Sequence, residues 1–148
     1  MSEAGGELRG GLHVFPVRVY FEDTDAGGIV YYANYLHFAE RARSEMLRHL
    51  GIESGRMVKD WGLVFAVKKC SMDFIKPAKL DDLLLIKTRL IEIGGASLRA
   101  SQRISLDGLD LVCLELKIAC ISLKGRPVRM PSKIRNQLDQ FKKLAEAN

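Results

Sequence analysis

Residues 17–52 read VRVYFEDTDAGGIVYYANYLHFAERARSEMLRHLGI. The stretch begins as the end of a strand-like run, HVFPVRVY (13–20), whose β-branched and aromatic content outweighs Pro16 near its start. A polar, glycine-bearing segment follows from Glu22 to Gly28. Then the period changes. Tyr35, Phe38, Ala39, Ala42, Met46 and Leu50 recur at helical spacing, with His37, Glu40, Arg41, Ser44 and Arg48 on the other side. Asn34 is the predicted N-cap, and Gly51 followed by Ile52 is the predicted helix stop.

Outward from this segment, four strand-like runs follow around 62–76, 82–93, 96–106 and 110–122. In the third, Leu98, Ala100, Gln102, Ile104 and Leu106 alternate with Ser97, Arg99, Ser101, Arg103 and Ser105, one greasy face and one wet. Asp107-Gly108 and Gly94-Gly95 read as hairpin turns, and Asp81-Asp82 as a third connection. Pro131-Ser132 introduces a last helix with Ile134, Leu138, Phe141 and Ala145 along one side. A sheet with one greasy face needs a cover, and the 35–50 helix is the long candidate, so the pattern predicts an α+β domain. Residues 1–12 read as a flexible lead-in, with one domain over 13–148.

The chain's 148 residues suit a single domain with a sizeable core. No apolar run approaches the roughly 18 residues of a membrane span. The opening MSEAGGELRGGLHVFP has no apolar h-region, so no secretory signal is expected. Cys70, Cys113 and Cys120 form no CxxC and lie in apolar strands, which predicts buried, reduced thiols and a cytoplasmic setting. The net charge of +5 lies wholly in residues 123–148, because residues 1–122 balance. Such an end suits phosphate, nucleic acid, an anionic membrane or plain solvation.

The unusual chemistry is in Glu22-Asp23-Thr24-Asp25-Ala26-Gly27-Gly28. Calcium is rejected: counted from Asp23, Gly27 falls where an EF-hand needs an oxygen side chain, and Asn34 where it needs a bidentate Glu. A phosphate loop is rejected because neither GxxxxGK[ST] nor GxGxxG occurs. Asp23 and Thr24 read as turn formers, while Asp25 reads equally well as a turn residue or as a working carboxylate. In the second case, a helix N-terminus offers free N–H groups and a positive dipole end to a developing oxyanion. A carboxylate beside it attacks a carbonyl or deprotonates a water. No strong general acid accompanies them, which favours thioesters, whose thiolate leaves with a pKa of about 8.5. His37, Glu40, Glu45 and His49 lack a convergent ligand motif and read as a solvated face, so no metal or redox cofactor is implied.

At these residues the chain resembles the 4-hydroxybenzoyl-CoA thioesterase family, and within it the Tol–Pal-associated (YbgC-type) acyl-CoA thioesterases. The likeness covers essentially 17–140, including KPAKLDDLLLIKT (76–88) and SLRASQRI (97–104), and Asp-Thr-Asp-Ala-Gly-Gly-Ile-Val is its specific part. It implies a hotdog fold, an antiparallel sheet wrapped around a long central helix, here with a C-terminal helix added. It implies hydrolysis of an acyl-CoA thioester to free acid and CoA. The family's catalytic carboxylate falls at Asp25, and its backbone oxyanion donor falls at Tyr32, helped by the Gly27-Gly28 loop. The Tol–Pal-associated group usually has His at the Tyr32 position and often Tyr at the Phe21 position; the 4-hydroxybenzoyl branch also carries Tyr at the former. Hotdog proteins pair sheets edge to edge, so the resemblance implies a homodimer or homotetramer with substrate between subunits. Lys124 and Arg126, after the last strand, are the candidates for the phosphates of CoA.

Two rival readings belong to other classes. One is a hotdog interaction protein that binds acyl carrier protein or an envelope complex with little hydrolysis. The other is nucleic-acid binding through the basic end, which has no helix-turn-helix, RNP or zinc motif to support it.

Overall fold

Among residues 4–146, which the computed structural model describes, the elements follow in a simple order. They are β1 (Glu7–Arg9), β2 (Leu12–Arg18), a 3₁₀ turn (Phe21–Asp23), α1 (Asn34–His49), α2 (Ser54–Trp61), β3 (Leu63–Phe74), β4 (Leu83–Ile93), β5 (Ser97–Leu106), β6 (Leu109–Ser122) and α3 (Ser132–Glu146). Turn chemistry sets the pairing. Asp107 and Gly108 both adopt positive φ, 50° and 83°, the hand a two-residue hairpin turn requires, and join β5 to β6. Gly94 donates its N–H to Ser97 O at 2.7 Å and closes the β4–β5 turn. The result is one antiparallel sheet in the order β1-β2-β4-β5-β6-β3.

One face of that sheet is covered by α1 and α3, which both pack on β4. Leu84, Ile86 and Leu90 of β4, Ala100 and Ile104 of β5, and Leu114 and Leu116 of β6 meet Phe38, Ala39, Ala42, Met46, Leu138 and Phe141 in a single core. This is the α+β arrangement implied by the resemblance. The helix stop also forms as the sequence predicts. Gly51 takes φ 80°, and Ile52 N–H reaches back to Leu47 O at 2.8 Å while its side chain is buried.

Four features differ from the sequence reading. Asn34 is not the N-cap: Ala33 occupies that position, and the Asn34 amide donates to Asp23 O at 2.9 Å. The polar segment after α1 contains α2, which Met57 anchors in the core. The expected flexible lead-in contributes β1, paired through Glu7↔Val14 and Arg9↔Leu12 to β2; residues 1–3 of that lead-in lie outside the described residues. Only Cys120 of the three cysteines is buried, Cys113 being half-buried and Cys70 exposed.

The exposure of Cys70 has a structural cause. Register places Cys70, Met72 and Phe74 opposite Leu116, Leu114 and Val112, all buried, so these β3 side chains belong to the core face. The irregularity between Val67 and Lys69 keeps Val67 there as well, paired with Ile118. Yet α1 lies over β2 and β4. α1 therefore leaves a trough along β3, with Tyr32, Leu36, Val67 and Phe74 exposed beside it and Phe74 in ring contact with Tyr32 and Tyr35 across it.

Gln102 fixes α1 in that position. It is fully buried and donates to Ala39 O at 2.9 Å and to Thr88 Oγ1 at 3.0 Å. Across Thr88 from Gln102, on β2, fully buried His13 bonds Gly5 O through Nε2 at 2.9 Å, and its Nδ1 has no partner. Burial holds its pKa below the ordinary 6.5, because a proton on Nδ1 would be a buried, unpaired donor. The unfolded chain takes up that proton more readily, so His13 favours folding above 6.5 and loses that contribution as pH falls below it. Thermal melts between pH 7 and pH 5 are expected to show falling stability, with a shallower slope in His13→Gln.

Candidate active site

The acidic loop is built by its own side chains. Asp23 Oδ2 accepts Tyr20 N–H at 2.8 Å, and Thr24 Oγ1 donates to Phe21 O at 2.9 Å. These contacts are the turn-forming work that the sequence predicts for both residues. Asp23 O then accepts Tyr31 N–H at 3.0 Å, closing the loop at its base, with Thr24 bridged to Val30.

Asp25 stands at the tip of this loop, exposed. Its backbone N–H donates to Ile29 O at 2.9 Å, and its Oδ1 accepts Gly27 N–H at 2.8 Å. Gly28 N–H donates to Asp25 O at 3.1 Å. The amides of Gly27 and Gly28 are thus engaged inside the loop. Their part is to shape the turn. Gly28 has φ 79°, a conformation that disfavours a side chain. A Cβ at Gly27 would lie 3.2 Å from Asp25 Oδ1.

The chain emerges from the loop at Tyr32, two residues before α1 begins. Asn34 N–H donates to Tyr31 O at 2.8 Å, Tyr35 N–H to Tyr32 O at 3.3 Å and Leu36 N–H to Ala33 O at 3.2 Å. Among the described residues, the N–H groups of Tyr32 and Ala33 have no acceptor. Two free donors at the positive end of a helix dipole can donate to an anionic oxygen. The family resemblance pointed to Tyr32 alone; the free N–H of Ala33 beside it has no signal in the sequence.

A second segment buttresses the loop. Val30 N–H donates to Ala78 O at 2.9 Å, Leu80 N–H to Gly28 O at 3.3 Å, and Ala78 N–H to the Tyr35 hydroxyl at 3.0 Å. Burial pushes the Tyr35 phenol up, so the hydroxyl stays protonated. Beside it lies an apolar groove of about 320 Å³, lined by Val30, Tyr32, Tyr35, Phe74, Ile75 and Pro77 among others. Tyr35 reads from periodicity as core alone; its hydroxyl contact depends on a residue 43 positions away.

Lys124 and Arg126 are elsewhere. They form an exposed turn, with Gly125 N–H on Ser122 O at 2.8 Å. Ser122 pairs with Leu63, the end of β3 remote from Phe74. At about 3.3 Å per residue, that is about 36 Å from the Tyr32 groove within one chain. The fold does not bring these cations to Asp25 in a single subunit.

With this geometry in view, comparisons with known proteins are specific. The family model described as "Thioesterase superfamily" matches residues 27–113, beginning just after Asp25. Over 129 residues the chain is 44% identical to "Acyl-CoA thioesterase YbgC" of Haemophilus influenzae, covering 86% of this chain and 95% of that one. It is 42% identical over 125 residues to "Acyl-CoA thioester hydrolase YbgC" of Escherichia coli, covering 83% and 92%. A solved "Probable Thioesterase" from Bartonella henselae superposes with a TM-score of 0.77 at 40% identity, covering 81% of this chain and 99% of that one.

The loop geometry carries its own check. Gly28→Ala forces an L side chain into left-handed backbone and is expected to cost about 1–2 kcal/mol, read as a lowered denaturation midpoint.

Proposed function

Because the chain belongs to the thioesterase superfamily, with its hotdog fold, we propose that it is an acyl-CoA thioesterase whose chemistry runs between Asp25 and the N-terminus of α1. The observation that carries this reading is the pair of unsatisfied N–H groups at Tyr32 and Ala33, set where the Asp25 loop closes. They receive the thioester carbonyl oxygen and strengthen their hold as it becomes an oxyanion. The Asp25 carboxylate supplies the electron pair, at the carbonyl carbon or through a water it deprotonates. The C–S bond breaks and the thiolate leaves without a strong general acid; after direct attack water then hydrolyses the Asp25 acyl anhydride, whereas in the other route the attacking water already supplies the oxygen of the free acid and its proton passes through Asp25. Gly27 N–H on Oδ1 holds the carboxylate in a defined orientation. A backbone donor does not depend on an imidazole, so Tyr in place of the subgroup's usual His leaves the oxyanion contact available.

The same reading accounts for the remote cations. β3 is a 12-residue edge strand with an unpaired outer side, which in isolation is an association hazard. Antiparallel pairing with β3 of a second copy covers that edge. It also carries the partner subunit's Lys124 and the partner subunit's Arg126 towards the Phe74 end, within reach of CoA phosphates. The active unit is then a homodimer. The free cysteines suit a reducing, cytoplasmic setting.

Asp25→Asn is expected to lower kcat on acyl-CoA by about a hundredfold or more with an unchanged melting profile. Activity equal to wild type overturns the assignment, and a wild type inert on all acyl-CoA thioesters yet retained by acyl carrier protein selects the interaction-protein reading. Removing both Lys124 and Arg126 is expected to raise KM for acyl-CoA and leave KM for a truncated pantetheine thioester unchanged. Sedimentation of the wild type should give twice the 16.6 kDa chain mass, or a multiple of that dimer.

A further inference from the structure

The catalytic reading uses the Tyr32 end of the trough and leaves the other end without a role. There a separate cavity of about 110 Å³ opens between α1 and the sheet. Val67, Leu98 and Ala100 wall it from the strands, and Glu40, Arg43 and Ser44 from the helix. The cation is the anomaly. Arg43 brings five N–H donors and a permanent charge, and burial pulls its pKa down from the ordinary arginine value against the opposing pull of Glu40. Among the described residues no carboxylate lies within ion-pair distance of it. Its hydrogen-bond partner is neutral, Gln102 Oε1 at 3.0 Å. Gln102 is in turn clamped by Ala39 O and Thr88 Oγ1, so the guanidinium is held in place.

A guanidinium so placed selects what fills the cavity. A methyl-ended chain would dehydrate its remaining donors without pairing them, whereas an oxygen at the chain end would pair them. We propose that this cavity receives the far end of the acyl group and that Arg43 selects acyl chains ending in an oxygen acceptor, a hydroxyl or a carboxylate. This rests on the thioesterase reading and adds a substrate class to it. Leu36, Glu40 and Arg43 lie on one stripe of α1, Tyr32 comes two residues before its start, and at about 1.5 Å per residue Tyr32 and Arg43 are about 16 Å apart. An extended acyl chain laid along the trough connects them. Glu40 decides between the two oxygens, since its carboxylate accepts a hydroxyl and repels a second carboxylate.

The experiment measures kcat/KM for acyl-CoA thioesters from hexanoyl to dodecanoyl, each ending in methyl, hydroxyl or carboxyl. Wild type is compared with Arg43→Met and with Ala100→Leu, which fills the cavity from the sheet side. Calorimetric titration with the matching non-hydrolysable CoA thioethers accompanies it and needs no turnover. Wild type is expected to favour an oxygen-ended chain over its methyl-ended equivalent by about tenfold or more, and both variants to bring that ratio to within about twofold of unity. Glu40→Gln is expected to move the preference from hydroxyl towards carboxyl. A wild-type ratio near unity at every length, or a preference that survives Arg43→Met, overturns the proposal. If wild type hydrolyses no thioester but binds the oxygen-ended thioethers through Arg43, the cavity assignment stands and the thioesterase reading falls. Turnover without discrimination has the opposite meaning.

Discussion

The structure depends on where one helix is pinned. Gln102 donates to Ala39 O and to Thr88 Oγ1, tying α1 to β4 and β5 from inside the core. A buried amide is costly unless its groups are paired, and this one is paired on three sides once Arg43 is counted. The constraint holds α1 over one part of the sheet and leaves the core face of β3 bare. From that displacement come the exposed Val67, Cys70 and Phe74, the trough beside them, and a greasy wall available to an acyl chain or a second subunit.

The acidic loop and the groove beside it are placed by different means in this fold. The Asp25 loop is shaped by short-range contacts, Asp23 to Tyr20, Thr24 to Phe21 and Gly27 to Asp25, none spanning more than three residues. The groove needs the loop after β3, because Ala78 meets the Tyr35 hydroxyl and Val30 N–H from far along the chain. A carboxylate on a locally closed loop, braced by a distant segment, suits a group that must keep its position while substrates come and go.

Much of this was legible in the sequence. The strand alternation of β5, the Asp107-Gly108 turn, the Gly51-Ile52 helix stop and the buried stripe of α1 all follow from local periodicity and turn chemistry. Asp25 reads from its neighbours equally well as a turn residue or a working carboxylate, and only the family resemblance favours the second. The errors have one kind of cause. Asn34 has the chemistry of a cap, but its amide is claimed by Asp23 O across the loop. Cys70 has the surroundings of a core residue, but its strand is the one the helix does not cover.

The sequence by itself determined the α+β class, the hairpins, the apolar face of α1 and the acidic loop, because each depends on residues within a turn or two of one another. Only the tertiary structure decided that Tyr32 and Ala33 keep free N–H groups, that the Gly27 and Gly28 amides are spent, and that Lys124 and Arg126 lie at the far end of β3. It alone placed Arg43 beside a neutral partner at a cavity. The physical reason is that hydrogen-bond satisfaction and burial are pairwise properties of residues remote in the chain, and no local period records them.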